Sequence, residues 1–115
     1  MTLITEYMRA FERKDLEAIR GMFCEDITLQ DPFVGKVDGM DKVLDICRGI
    51  FKGNTLKTEL RRLFKTDDGQ YAQEFTLVVT DEAGKKTLVE GIDCFQLSGN
   101  KIKTLRAYVE AKELR

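Results

Sequence analysis

The first half of the chain carries apolar residues at helical spacing. In the first of these segments they recur every three or four residues, at Leu3, Ile4, Tyr7, Met8 and Phe11. This spacing predicts a helix over residues 2–13, with Tyr7 inside its apolar stripe. A second, shorter helix starts with Asp15 as its N-cap, carries Phe23 on its inward side and meets the first at a sharp angle near Lys14.

A short strand follows the turn predicted at residues 25–26. Side chains alternate across a strand, so Ile27, Leu29 and Asp31 share one face, and a carboxylate ends a row of two apolar side chains. Pro32, which cannot donate a hydrogen bond to a sheet, stops the strand at this point. Asp31 therefore either meets a ligand at the rim of the sheet or starts a turn with Pro32 and faces water, and this stretch alone leaves both open.

A third helix is predicted after a loop over residues 35–38. Asp38 is a suitable N-cap, and the pair Gly53-Asn54 ends the helix because both residues tolerate left-handed backbone geometry. The buried side of this helix is apolar, with Met40, Val43, Leu44, Cys47, Ile50 and Phe51.

The second half of the chain changes from helical to alternating spacing. Residues 56–64, 71–80, 87–97 and 102–111 read as four long strands. Turn sequences rich in Asp, Asn, Ser and Gly separate them, which indicates hairpins and hence an antiparallel sheet. Helices followed by a strand meander predict an α+β fold in which a strongly curved sheet wraps around three N-terminal helices.

The predicted strand 87–97 has apolar side chains on both faces. One face carries Val89 and Phe95, and the other carries Leu88, Ile92 and Cys94. A homodimer that buries the outer surface of the sheet would explain this pattern. Asp93 shares the face of Val89 and Phe95, where burial would raise the pKa of its carboxyl group. If the alternation is reversed, Asp93 lies in solvent, and the pattern alone does not decide between the two.

Composition excludes several functional classes. The 115 residues form one domain with a net charge of −1, so there is no basic surface for nucleic acid or an anionic membrane. No apolar run is long enough to span a bilayer. Three cysteines without a CxxC pair favour reduced thiols and a cytoplasmic location. Since the chain has no histidine, Ser-His and Cys-His nucleophiles are excluded, no metal site is expected, and acid-base chemistry falls to Asp, Glu, Tyr, Lys or Cys.

Motifs along nearly the whole chain together carry a family resemblance. They are Tyr7, the segment 15–19, Phe23 with Glu25-Asp26, Asp31-Pro32-Phe33, Gly39, the segments 91–95 and 99–102, and Arg106-Ala107-Tyr108. This set resembles the ketosteroid isomerases, within the superfamily of nuclear transport factor 2-like folds. The resemblance implies a single domain over residues 1–115 with a cystatin-like, cone-shaped antiparallel sheet around a pocket that the three helices close.

The resemblance also implies a reaction and the residues that perform it. Asp31 matches the aspartate that moves a proton between two carbon atoms next to a carbonyl. Tyr7 and Asp93 match the tyrosine and the neutral aspartic acid that hold the resulting oxyanion, an arrangement that is the standard example of a carboxyl group kept neutral by an apolar site. The implied protein is a cofactor-independent isomerase that acts on a small hydrophobic ligand with a carbonyl group.

The implied pocket wall is apolar, but it departs from the family in places. Its predicted lining is Phe33, Phe75, Leu77, Val79, Phe95, Leu105, Ala107 and Val109. Phe23 and Cys47 stand where bacterial members have tyrosines behind the oxyanion tyrosine, and Gln73 or Arg106 would make the pocket more polar if they face it. The alternatives are a non-catalytic ligand-binding or dimerisation module and a related polyketide cyclase or dehydratase.

Overall fold

The computed structural model describes residues 2–114. In chain order the elements are α1 (Leu3–Glu12), α2 (Leu16–Met22), β1 (Phe23–Asp31), β2 (Gly35–Asp38), α3 (Met40–Phe51), β3 (Thr55–Lys65), β4 (Gln70–Thr80), β5 (Lys86–Ser98) and β6 (Lys101–Leu114). The fold is α+β, as the sequence predicted: three helices pack against one six-stranded, curved sheet that does not close into a barrel. The four predicted strands of the second half are all present, each slightly longer than expected.

The sheet is mixed, so the prediction of a fully antiparallel sheet was wrong at one pair of strands. The strand order is β2-β1-β6-β5-β4-β3, and β1 runs parallel to β6, with Leu29 opposite Leu105. The other neighbours are antiparallel. No hairpin turn joins β1 to β6, because α3 and four strands separate them in sequence. Turn residues therefore carry no information about this pairing.

The loop predicted over residues 35–38 is strand β2, which forms a hairpin with β1. Asp31 pairs with Gly35 and Thr28 pairs with Asp38. Val37 is the only residue of β2 that is even partly buried, so the strand has no alternating pattern to detect. Asp38 consequently belongs to the strand, and the N-cap of α3 is Gly39, whose φ of 96° favours glycine.

Phe23 begins β1 and does not belong to α2, contrary to the prediction. Its backbone is extended, and β1 continues through Glu25 and Asp26 without a turn. The register against β6 shifts between Phe23 and Thr28, which marks a bulge. This irregular stretch explains why the alternation became visible only from Ile27 onward.

The predicted helix ends are otherwise confirmed. Thr2 and Asp15 accept hydrogen bonds from backbone N–H groups at the starts of α1 and α2, as N-caps do. Lys14, at the junction of these helices, has a φ of 61°, and Gly53 after α3 has a φ of 72°. Both residues lie in the left-handed region, which reverses the chain direction in few residues.

Gly91 permits a close approach of β5 and β6. It pairs with Val109, and a Cβ atom built on it would lie 2.1 Å from the carbonyl oxygen of Tyr108. Its φ of 149° is also one that other residues rarely adopt. The close approach lies two residues before Asp93, so Gly91 sets the path of the strand where that side chain enters the interior.

Candidate functional site

A cavity of about 690 Å³ lies between α1, α3 and the inner face of the sheet. This volume is in the range of pockets that hold small organic ligands. Most of its wall is apolar. Its polar lining includes Tyr7 from α1, Asp31 from β1 and Asp93 from β5, so three elements far apart in sequence bring these groups together.

Tyr7 is packed among aromatic rings with its hydroxyl group toward the cavity. The side chain is only 5% exposed, and the ring centroids of Phe23 and Phe95 lie 5.6 and 5.7 Å from its own. Burial, with smaller contributions from Cys47 and Asp93, raises the pKa of Tyr7 well above its ordinary value. Tyr7 therefore stays a neutral hydrogen-bond donor at physiological pH.

Asp93 faces the cavity, which settles the direction of alternation along β5. It pairs with Gln73 on β4 and with Ala107 on β6. Burial, with a smaller contribution from the negative charge of Asp31, raises the pKa of Asp93 from 3.8 to about 7. The enclosing wall is apolar, so a large fraction of Asp93 carries its proton near neutral pH.

The oxygen atoms of Tyr7 and Asp93 are open to the cavity. Within residues 2–114, no fully enclosed side-chain nitrogen or oxygen lacks a hydrogen-bond partner, and no described protein group bonds to the Tyr7 hydroxyl or the Asp93 carboxyl. Their hydrogen-bonding capacity is thus available to a ligand. Two donors of this kind suit an oxygen atom that gains negative charge during a reaction.

Asp31 lies at the rim and combines both alternatives that the sequence left open. It lines the cavity, and it also closes a turn, because its Oδ1 accepts hydrogen bonds from the backbone N–H groups of Phe33 at 2.6 Å and Val34 at 3.2 Å. The turn fixes Oδ1 and leaves Oδ2 without a described protein partner. Asp31 thus presents one free carboxylate oxygen in a defined position.

Asp31 and Asp93 lie at the same level of the sheet. Gln30 pairs with Arg106, so the next residue of β1 is level with Ala107, the partner of Asp93. One strand lies between the two aspartates, which places their backbones about 10 Å apart at ordinary strand spacing. Both carboxyl groups line the same cavity.

The predicted pocket wall matches the observed lining except at one residue. The side chains that were predicted and do line the cavity are Phe33, Phe75, Leu77, Val79, Leu105, Ala107 and Val109. Phe95 does not belong to the lining: it is 1% exposed and packs edge-on against Tyr7. The sequence left the inward face of β5 open, and in the structure the ring of Tyr7 packs against Phe95.

Two polar residues considered for the pocket lie elsewhere. Gln73 is buried, but its Nε2 donates to the backbone carbonyl of Glu74 at 2.7 Å. It also donates to the carbonyl groups of Arg61 and Arg62, at 3.4 and 3.3 Å, in a bulge of β3. Arg106 is exposed on the outer face, where its guanidinium lies 5.5 Å from the ring centroid of Tyr108. The wall is therefore more apolar than the sequence alone required.

Several lining residues were not predicted from the sequence. Met8, Phe11, Cys47 and Ile50 of the helices were recognised as buried but not as facing a cavity, and Ile46 was not recognised at all. Thr58 of β3 was missed because its hydroxyl sits in an otherwise ordinary alternating strand. Helix stripes show which side chains point inward, whereas a cavity depends on the volume that they leave unfilled.

Two negative findings apply to residues 2–114. No group of three or more Cys, Asp or Glu side chains is placed to hold a metal ion. No described helix is long and apolar enough to cross a membrane.

Comparison with known proteins defines the family. Residues 4–105 match the family described as the SnoaL-like domain, and the chain belongs to this family, within the nuclear transport factor 2-like superfamily. A search of curated proteins found no match.

Solved structures share the fold at low sequence identity. An epoxide hydrolase/cyclase-like enzyme, SalBIII, which acts in pyran ring formation in salinomycin, is similar with a TM-score of 0.83 and 23% identity over 96% of this chain and 88% of its own. A candidate polyketide cyclase from Pseudomonas putida KT2440 is similar with a TM-score of 0.83 and 19% identity, over 94% of this chain and 91% of its own. An LEH-like epoxide hydrolase from M. tuberculosis is similar with a TM-score of 0.83 and 11% identity, over 94% of this chain and 80% of its own.

Proposed function

We propose that this protein is a cofactor-independent isomerase that moves a proton next to a carbonyl group of a small hydrophobic ligand. The observation that carries the proposal is the convergence of Asp31, Tyr7 and Asp93 on one apolar cavity. In this arrangement one carboxyl group has a free oxygen, and the other has a pKa raised to about 7, mainly by burial, so that it carries its proton below that pH.

The roles follow from the charge that the reaction creates. Removing a proton from the carbon next to a carbonyl places negative charge on the carbonyl oxygen. Tyr7 and protonated Asp93 donate hydrogen bonds to that oxygen, while Oδ2 of Asp31 takes the proton and returns it to a second carbon. Each neutral donor at such a site is worth about a hundredfold to a thousandfold in rate.

The first experiment measures conversion of a β,γ-unsaturated ketosteroid to its conjugated isomer by ultraviolet absorbance. Asp31→Asn retains the oxygen that accepts from Phe33 and Val34 but removes the base, so the turn should survive and turnover should vanish. Asp93→Ala should lower turnover by about a hundredfold or more. Wild-type turnover should also fall above about pH 7, because ionised Asp93 no longer donates. Turnover that is equal in wild type and Asp31→Asn would refute the proposal.

A second candidate is a ring-closing or ring-opening reaction, as in a polyketide cyclase or related dehydratase. Asp93, when protonated, can donate a proton to an oxygen leaving group while Asp31 accepts one from a hydroxyl nucleophile. The presence of both carboxyl groups in one cavity supports this candidate. A hydroxy-epoxide substrate followed by mass spectrometry separates the two candidates: cyclisation or ring opening without isomerase turnover supports the second.

A third possibility is a ligand-binding module without catalysis, since one fold serves many functions. Such a protein would bind a phenolic steroid in the cavity, and Asp31→Asn would have no turnover to remove. We also propose the cytoplasm as its location, because Cys24, Cys47 and Cys94 are free thiols, which suit a reducing compartment.

We further propose that a second copy of the chain covers the outer face of the sheet. Ile92 and its neighbour Tyr108 lie there, and Tyr108 is 57% exposed. Arg106 and Glu110 lie on the same face of β6, so a two-fold axis across β6 can oppose unlike charges. Light scattering should give a dimer for the wild type and a monomer for Tyr108→Glu. A monomeric wild type at micromolar concentration would contradict this proposal.

A further inference from the structure

Thr58 places a hydroxyl group in the apolar wall, away from the Tyr7 and Asp93 pair. Apart from the carboxyl and phenol groups already described, the polar side chains of the cavity lining are Asp45, Asn54, Thr58 and Thr87. Thr58 is the buried member of this set, at 9% exposure, whereas Asp45 is exposed and Asn54 and Thr87 are half-buried.

The sheet register gives the separation between Thr58 and Asp93. Thr58 pairs with Leu77, and Leu77 pairs with Val89, four residues before Asp93 on β5. Four residues span about 13 Å along a strand, and two strand spacings span about 10 Å across the sheet. On a flat sheet the two positions would be about 16 Å apart, and curvature shortens this distance. Thr58 therefore lies toward the opposite end of the cavity.

Two charged residues of α1 hold the backbone of Thr58. Its N–H group donates to Oε2 of Glu12 at 2.6 Å, and its carbonyl accepts from Nη1 of Arg9 at 3.4 Å. Arg9 and Glu12 are themselves paired at 3.2 Å. Because β3 is an edge strand, these backbone groups have no neighbouring strand, and α1 supplies their partners.

The side-chain hydroxyl of Thr58 has no such partner. It makes no hydrogen bond to any described protein group, and no fully enclosed polar side-chain atom within residues 2–114 is left unbonded. The hydroxyl is therefore reachable from the cavity. A valine would have the same shape and would avoid the cost of a hydroxyl in an apolar wall, so packing alone does not require threonine here.

We propose that the Thr58 hydroxyl binds a second polar group of the ligand. The ligand class is an elongated, rigid, apolar molecule with a carbonyl or phenol oxygen at one end and a hydroxyl or carbonyl at the other. A hydroxyl both donates and accepts, so Thr58 serves either group. The assignment of the first oxygen to Tyr7 and Asp93 rests on the proposed function, whereas the role of Thr58 does not depend on proton transfer.

The test compares two phenolic steroids, 17β-estradiol and 17-deoxyestradiol, which differ only in the hydroxyl at the end remote from the phenol. Binding is measured by calorimetry to wild type, Thr58→Val and Thr58→Ser. Wild type should bind estradiol about tenfold more tightly than the deoxy compound, as one hydrogen bond predicts. Thr58→Ser should keep this preference, and Thr58→Val should lose it while binding the deoxy compound as wild type does.

A thermal melt separates this role from a structural one. Because the hydroxyl has no protein partner, Thr58→Val should melt at the wild-type temperature or above it, whereas a lower melting temperature would indicate a structural role. An equal preference for estradiol in wild type and Thr58→Val overturns the inference, as does failure of wild type to bind either steroid. If the Thr58 inference fails but the wild type still turns over the ketosteroid, the proposed function stands. If the preference for estradiol depends on Thr58 but there is no turnover, the inference about Thr58 stands and the isomerase function does not.

Discussion

Replacing Asp93 by asparagine should stabilise the protein, and the gain should grow with pH. Asparagine has the same shape but cannot ionise. The rise in the pKa of Asp93 from 3.8 to about 7 means that ionising it costs more in the folded chain than in the unfolded chain. Converted at 1.4 kcal/mol per pH unit, the full penalty is about 4 kcal/mol.

The pH window follows from the two pKa values. Below pH 3.8 both states of the chain hold the proton and there is no penalty. Between 3.8 and about 7 the unfolded chain ionises while folded Asp93 stays neutral, so its contribution to stability falls as the pH rises. Above about 7 the penalty is complete. The free energy gained by Asp93→Asn should therefore be less than 1 kcal/mol near pH 4 and about 4 kcal/mol near pH 8.5.

Urea denaturation followed by circular dichroism at several pH values between 4 and 8.5 measures this gain. Asp26→Asn is a control in which the change in stability should have the opposite sign. The hydrogen bond from Lys103 lowers the pKa of Asp26, so the ionised side chain stabilises the folded chain. The variant should therefore lose stability at pH values above the ordinary pKa of an aspartate. A gain for Asp93→Asn that does not change with pH would refute the reasoning. Such a result would mean that Asp93 ionises as easily in the folded chain as in the unfolded one.

Two further predictions concern packing in the sheet and around the cavity. Gly91→Ala should lower the free energy of unfolding by about 2 kcal/mol or more, because the added Cβ would meet the carbonyl of Tyr108. Gly21→Ala is the control and should be neutral or stabilising, because there is open space around Gly21. Equal losses for the two variants in a denaturation experiment would contradict the close approach of β5 and β6. Phe33 is 59% exposed, so Phe33→Ala should weaken ligand binding while hardly changing the free energy of unfolding. Phe95→Ala should instead lower the free energy of unfolding by about 3–5 kcal/mol. Calorimetry and denaturation on both variants test this, and a Phe33→Ala variant that loses stability but not ligand affinity would exclude Phe33 from the binding wall.

Much of the fold could be predicted because its signals are local. The spacing of apolar residues in α1 and α3 and the turn sequences between β3 and β6 are contained in short segments. The parallel pairing of β1 with β6 was out of reach for the opposite reason. It depends on how the curved sheet brings distant strands together, and no single segment records that.

In the candidate site, too, the features that short segments record could be predicted, and those that depend on the packed structure could not. Asp31 was identifiable because Pro32 follows it, and Asp93 because a carboxyl group interrupts an apolar face. Pattern could not show that Tyr7 would cover Phe95, because the order of layers depends on side-chain packing. It also could not show that Thr58 lacks a partner for its hydroxyl, since that is a property of the whole cavity.

The pairing of β1 with β6 also determines when the cavity can form during folding. Leu29 and its partner Leu105 are separated by most of the chain, so their contact closes a long loop and is expected late and slowly. The hairpins of β3 to β5 can form earlier from neighbouring residues. On a ribosome, Asp31 is synthesised well before Asp93, and the two line one cavity only after β6, the strand between them, has emerged. Until then the apolar inner face of the sheet stays open, and that interval is when the chain is most exposed to aggregation.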